Sequence, residues 1–245
     1  MAKNAMVFSG RNGLDFSELR AGVMRIPEVT IRIREAQAVL DSLEPKVEID
    51  LLSTITGDDD HFFRNIKLKS LASAIVQVGL FDRLQKSQRR IDFMVGNSNG
   101  DSAMMVCAGL MTFKEMIMNS QAISSLSHTE KVVPINTVAA LAMPLLSGLS
   151  LTEYNALKAA PGEGGVMTFS SIPGGAMDLR KIIASLHQDH DVTRFVNIGP
   201  ASALRGSDYR ALGSGDVESV DSIELDPMLG WFWRNISSHA SALAQ

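Results

Sequence analysis

The chain has 245 residues, 45% of them apolar and 20% charged, a balance typical of a soluble globular protein able to bury a large core as one or two domains. Its net charge of -4 and isoelectric point near 5.7 argue against a nucleic-acid partner or an anionic membrane surface, and no apolar run reaches the length of a membrane span. A single cysteine, Cys107, excludes an internal disulfide and fits a reducing cytoplasm.

Met1 to Ala5 lead directly into a strand and not into a signal peptide. Ala5 to Ser9 read as that first strand, ending in the loop Ser9-Gly10-Arg11-Asn12-Gly13. Phe16 to Leu43 carry helical patterning, with Val29, Ile33, Ala36 and Leu40 on one stripe. Gly57 to Asp60 form a polar break suited to capping the next helix. That helix, Ile66 to Leu84, reads as strongly amphipathic. Lys86 to Arg90 form a basic turn, and Ile91 to Val95 are strand-like. A helix then runs from about Ser102 to Ser120 with Met105, Leu110, Phe113, Met116 and Ile117.

Lys131 to Ile135 suggest another strand, followed by an apolar helix over Ala139 to Leu146. Pro161 to Gly165 read as a flexible loop, Val166 to Phe169 as a strand and Met177 to His187 as a helix. Arg194 to Ile198 form a strand ending at Gly199-Pro200, and Ala201 to Arg205 start a helix. Strands alternating with helices predict a parallel α/β sheet covered on both faces. There is no internal repeat and no low-complexity tract.

The most specific motif is Gly96-Asn97-Ser98-Asn99-Gly100, a G-x-S-x-G sequence between strand and helix. Such a turn needs glycine on both sides because side chains would clash. It lifts the serine hydroxyl above the sheet, beside a helix N-terminus. Ser98 there is placed to accept an acyl group. A serine is also small enough to be retained by the turn alone. Cys107, within Met104 to Ala108, reads as a small core residue and not a nucleophile. One cysteine and scattered histidines make no plausible metal site, and no G-x-G-x-x-G loop follows the first strand.

Three segments resemble the malonyl-/acyl-CoA:acyl carrier protein transacylases of fatty acid and polyketide synthesis. Gly96 to Asp101, with Val106-Cys107-Ala108-Gly109 and Phe113, is similar to the family's G-H-S-x-G-E elbow and the C-A-G step of its helix. Val7-Phe8-Ser9-Gly10 is similar to its opening F-x-G-Q-G strand and loop. Phe195 to Pro200 with Leu204 is similar to its E-x-G-P…L strand and turn. The segments occur in the family's order.

The resemblance implies a hydrolase-like parallel sheet core in one domain over residues 1–245. It also implies Ser98 as nucleophile, with the backbone N–H groups of Asn99 and the Ser9–Asn12 loop holding the oxyanion. The substrate would be an acyl group on CoA or on the phosphopantetheine arm of an acyl carrier protein, with no separate cofactor and no metal. The carrier protein, or a ketosynthase or other synthase subunit, would be the partner.

The departures from the family are chemical. Arg11 stands where the family has the glutamine beside the oxyanion hole, and Asn97 replaces the histidine before the serine. Ile123 stands at the arginine that pairs with malonyl carboxylate, and Val138 at the catalytic histidine. The family's ferredoxin-like small subdomain has only Ser124 to Lys131 to occupy and is expected to be absent. A serine hydroxyl needs a base within hydrogen-bond reach, and Val138 is none. Among the five histidines, His187 and His190 precede the Phe195 strand and His128 precedes another, which puts them at the opposite sheet edge. His61 is the candidate base, although a solvated loop histidine beside Asp58, Asp59 and Asp60 is the plainer reading. Arg11 suits an acyl carboxylate or phosphate, or structural pairing.

Two functions therefore compete. One is an atypical acyltransferase or thioester hydrolase working through Ser98 on an uncharged acyl group. The other is a degenerate relative that binds a carrier protein or synthase as a scaffold. Trp231-Phe232-Trp233 and the methionine-rich helices suit partner contact or plain core packing.

Overall fold

A computed structural model describes residues 3–8, 17–44, 47–57, 65–86, 90–97, 100–120, 157–161, 166–171, 179–199 and 216–220. Six strands form one sheet: β1 (Lys3–Phe8), β2 (Phe93–Gly96), β3 (Leu157–Pro161), β4 (Met167–Ser171), β5 (Val192–Ile198) and β6 (Asp216–Val220). Their spatial order is β3-β4-β2-β1-β5-β6. All neighbours pair parallel except β3, which runs antiparallel to β4 at the edge. The sheet is thus mixed and not wholly parallel as expected. Pro161, expected in the loop, is the last residue of β3, and only residues 162–166 separate it from β4, so the two strands can pair antiparallel without the helical crossover a parallel pair requires.

β1 shows why the centre of the sheet reads as a continuous apolar run. Ala5, Met6, Val7 and Phe8 are all fully buried, so both faces of the strand are covered. On one face Met6, Phe8, Met94, Val196 and Ile198 join the main core. Helices α2 (Pro27–Asp41), α3 (Leu51–Thr56) and α4 (Ile66–Gln85) pack there with α5 (Gly100–Cys107) and α6 (Phe113–Met118), while α1 (Ser17–Val23) precedes α2. α7 (Leu179–His190) buries Leu179, Ile182, Ile183 and Leu186, one helical stripe. Its His190 ring packs against Phe93, with centroids 5.3 Å apart.

Several boundaries differ from the expected ones for local reasons. The long first helical segment is two helices, because Pro27 opens α2 and lacks the N–H an upstream helix would need. The cap of α4 is Asn65, whose side chain accepts from the Leu68 N–H at 3.0 Å, and not the Gly57–Asp60 break. α4 is not amphipathic over its middle: Leu71 to Phe81 are all buried, so this helix lies inside the core. The expected Ser102–Ser120 helix breaks in two at Gly109, φ 71°. Leu110 N–H donates to the Met105 carbonyl at 2.9 Å and Gly109 N–H to Val106 at 3.1 Å, which closes α5 in a Schellman motif. Thr112 and Glu115 then form a capping box that starts α6.

α2 and α4 approach closely. A Cβ on Gly79 would lie 2.6 Å from Val29 Cα, so glycine is what permits the contact. Arg32 reinforces it, donating from Nε to Asp82 Oδ2 at 2.6 Å while its guanidinium lies 5.0 Å from the Phe113 ring centroid. The expected strand at Lys131–Ile135, the helices at Ala139–Leu146 and Ala201–Arg205, the Trp231–Trp233 cluster and the Ser124–Lys131 segment all fall outside the described residues.

Candidate functional site

The parallel strands β1, β2, β4, β5 and β6 end at one edge of the sheet. In register, Phe8 lies opposite Gly96 on one side and opposite Ile198 on the other. β1 leads toward β2, while β5 leads toward β6 in the opposite direction. The switch point of this sheet therefore lies between the carboxyl ends of β1 and β5, where open α/β sheets place their ligands. Gly96 ends β2 one strand away.

The strand-to-helix bend at this edge is tight. A Cβ on Gly96 would meet Asp101 Oδ1 at 2.6 Å and Asp101 Cα at 2.7 Å, so only glycine lets α5 begin this close to β2. The Asn97 N–H donates to the Phe8 carbonyl at 3.2 Å and extends the β1–β2 contact by one residue. The Gly100 N–H donates to the Asn97 carbonyl at 3.0 Å, an i-to-i+3 bond across positions 98 and 99. Asn97 is half-buried, and α5 carries Asp101 in its first turn. The described backbone is thus strand up to Gly96 and helix from Gly100, with the serine between them.

Of the sequence-expected site residues, Asn97 is described. Ser98, Asn99, Arg11 and His61 lie outside the described residues, as do Ile123, Val138, His128 and His239. His187 and His190 are described, at the amino edge of the sheet. His190 packs on Phe93, the first residue of β2, and His187 Nδ1 lies 2.8 Å from the carbonyl oxygen of Val192, the first residue of β5. From Phe93 to Gly96 the chain rises roughly 10 Å, so these rings stand well back from the bend.

Cys107, at the end of α5, is half-buried and packs against the core, as its apolar surroundings suggest. Burial pushes its thiol well above the ordinary value, and the charge of Asp82 adds to this against the opposing charge of Arg32. It is a thiol and not a thiolate at neutral pH, which argues against nucleophilic use. Among the described residues no group of three or more His, Cys, Asp or Glu is placed to hold a metal ion. Among the same residues no helix is long and apolar enough to cross a membrane.

Two residues at this edge are not legible as site residues in the sequence. Gln77 and Phe81 of α4 approach it from the core. Gln77 Nε2 donates to the Ile198 carbonyl at 3.2 Å, and the Phe81 ring lies 6.0 Å from that of Phe8. The one signal available is a glutamine inside the apolar run from Leu71 to Phe81.

No family model matches the chain, and no curated protein sequence does. Solved structures do resemble it. A malonyl-CoA:ACP transacylase from Synechocystis sp. PCC 6803 superposes with a TM-score of 0.60 at 12% identity, covering 91% of this chain and 98% of that one. An acyl-carrier-protein S-malonyltransferase from Burkholderia pseudomallei 1710b gives 0.60 at 14% identity, covering 93% and 99%. The transacylase of Streptococcus pneumoniae gives 0.56 at 16% identity, also covering 93% and 99%. At these identities the likeness is one of fold. This chain has a helix-rich α/β fold with a largely parallel sheet, similar to that of the transacylases.

Proposed function

We propose that this chain is an atypical acyltransferase-like protein of bacterial fatty acid or polyketide synthesis. In this reading it works in the cytoplasm on acyl groups carried by CoA or by an acyl carrier protein. The observation that carries the reading is the bend at the carboxyl edge, where Gly96 packs on Asp101 and Gly100 bonds back to Asn97. Together with the transacylase-like fold, it supports Ser98 as the attacking group.

In the step envisaged, Ser98 Oγ bonds to the thioester carbonyl carbon and the carbon–sulfur bond breaks. The serine proton ends on the departing thiol, so an acyl-serine and a free thiol result. Asn99 N–H and the N–H groups of the Ser9–Asn12 loop would hold the oxyanion. A water, or His61, would relay the proton in place of the family's histidine. Ile123 offers no charge to a malonyl carboxylate, so the acyl group is uncharged. Arg11 would then face a phosphate of the donor or pair within the fold. The short Ser124–Lys131 segment suits a domain without the small subdomain, whose cleft would be more open.

A second reading is favoured by the placement of His187 and His190 at the opposite edge and by Val138 at the family's histidine position. In it the chain is a degenerate acyltransferase kept to bind a carrier protein or a synthase subunit. Mass spectrometry after incubation with acyl-CoA or acyl-loaded carrier protein separates the two. An adduct that vanishes in Ser98→Ala supports the enzyme. Absence of any adduct overturns it, and co-elution with a purified carrier protein then supports the scaffold. Rapid loading from malonyl-CoA would overturn the exclusion of ordinary malonyl transfer.

A further inference from the structure

We infer that Gln77 is a positioning residue for the Ser98 site, holding the carboxyl end of β5 against α4; the inference rests on the function proposed above. Residues 71 to 81 of α4 are buried on every side, and Gln77 is 1% exposed. A primary amide in such surroundings is costly to desolvate unless it is bonded. Its Nε2 donates to the Ile198 carbonyl, a contact between residues 121 apart in the chain. Leucine or methionine would fill the same space in this apolar helix without holding a carbonyl.

The place where that bond falls gives it a role. Ile198 is the last residue of β5 and the last paired residue on both sides, opposite Phe8 of β1 and Val220 of β6. Phe81 lies four residues after Gln77, on the same face of α4, and its ring meets that of Phe8. One helix face therefore touches the ends of the two strands that flank the switch point. Phe8 in turn pairs with Gly96 and accepts the Asn97 N–H. α4 is thus tied to the ends of β5 and β1, and the end of β1 in turn carries the first loop and bonds the start of the Ser98 bend. Small shifts matter here, because a misplacement of about 1 Å can lower a rate roughly a hundredfold.

The test compares the full chain with Gln77→Met, which keeps volume and removes the donor, and with Gln77→Leu as a second apolar variant. Amide hydrogen exchange followed by mass spectrometry reads the tie directly. Peptides covering Asn197 to Gly199 should exchange about fivefold faster, the equivalent of one ordinary hydrogen bond, while Val192 to Arg194 stay unchanged. Single-turnover acylation of Ser98 by a saturating short-chain acyl-CoA should slow about tenfold, with the half-saturating concentration unchanged. If the wild type loads and both variants match it in rate and exchange, the role of Gln77 is overturned and the Ser98 reading stands. Exchange that rises uniformly along the chain also overturns it, since that marks general destabilisation. If the wild type does not load, the Ser98 reading fails and the exchange pattern alone decides whether Gln77 holds the strand end.

Discussion

Replacing Gly96 by alanine tests the geometry on which the candidate site depends. The added methyl would lie 2.6 Å from Asp101 Oδ1, 2.7 Å from Asp101 Cα and 3.2 Å from Asp101 N. The carboxylate oxygen can rotate away, but the other two atoms are backbone of α5. Carbon atoms rest about 3.5–4.0 Å apart, so strand or helix must give by about 1 Å. Alanine also has an advantage, since it loses about 0.5–1 kcal/mol less conformational freedom than glycine on entering a strand. Overpacking against backbone costs about 1–3 kcal/mol and should win. A net loss of about 1–2 kcal/mol is expected, read as a fall of roughly 2–8 °C in Tm for a chain of this size. Urea unfolding followed by far-UV circular dichroism gives the free energy, and acyl loading of Ser98 should fall with it. A Gly96→Ala protein within about 0.5 kcal/mol of wild type, loading normally, would show that β2 and α5 do not approach this closely in solution.

Gly79→Ala should also destabilise, by about 1–2 kcal/mol in urea unfolding. The gain of about 1 kcal/mol in helix propensity is outweighed by a methyl 2.6 Å from Val29 Cα and 2.9 Å from Val29 N. Thr112→Ala should cost about 1 kcal/mol in the same assay, because it removes the side chain that accepts from Glu115 N–H at 3.1 Å and opens the capping box of α6. Glu28 should make stability depend on acid. Desolvation raises its pKa, but the hydrogen bond from Lys86, its own backbone N–H and the charges of Lys86 and Arg83 together hold it below the ordinary value of 4.5. A depressed carboxylate contributes stability above the unfolded pKa and loses it as pH falls through the folded one. Glu28→Gln should therefore be about 1 kcal/mol less stable at pH 7, with the gap closing as the pH falls below the ordinary value of 4.5; a gap that stays constant into acid would refute the pairing.

Much of the fold is legible because its signals are local. The buried runs Ala5 to Phe8 and Phe93 to Val95 are apolar on both faces, which marks covered strands wherever they pair. The serine bend is legible because glycine at 96 meets a steric demand from Asp101, five residues on. The division between α5 and α6 was also written locally, in Gly109 and in Thr112 to Glu115, but the apolar spacing across it reads as one helix. Cys107 and the two amino-edge histidines lie where their neighbours in sequence suggest.

What the chain determined by itself is the set of elements and the bend, because capping, glycine sterics and apolar spacing act between residues a few positions apart. The tertiary structure alone decided that β1 stands between β2 and β5, that β3 turns antiparallel and that α4 is sunk into the core. It alone brought Gln77 to Ile198, Gly79 to Val29 and Arg32 to Asp82. Those contacts join residues 50 to 121 positions apart, and a carbonyl or a Cα has no sequence signature until packing brings its partner within 4 Å.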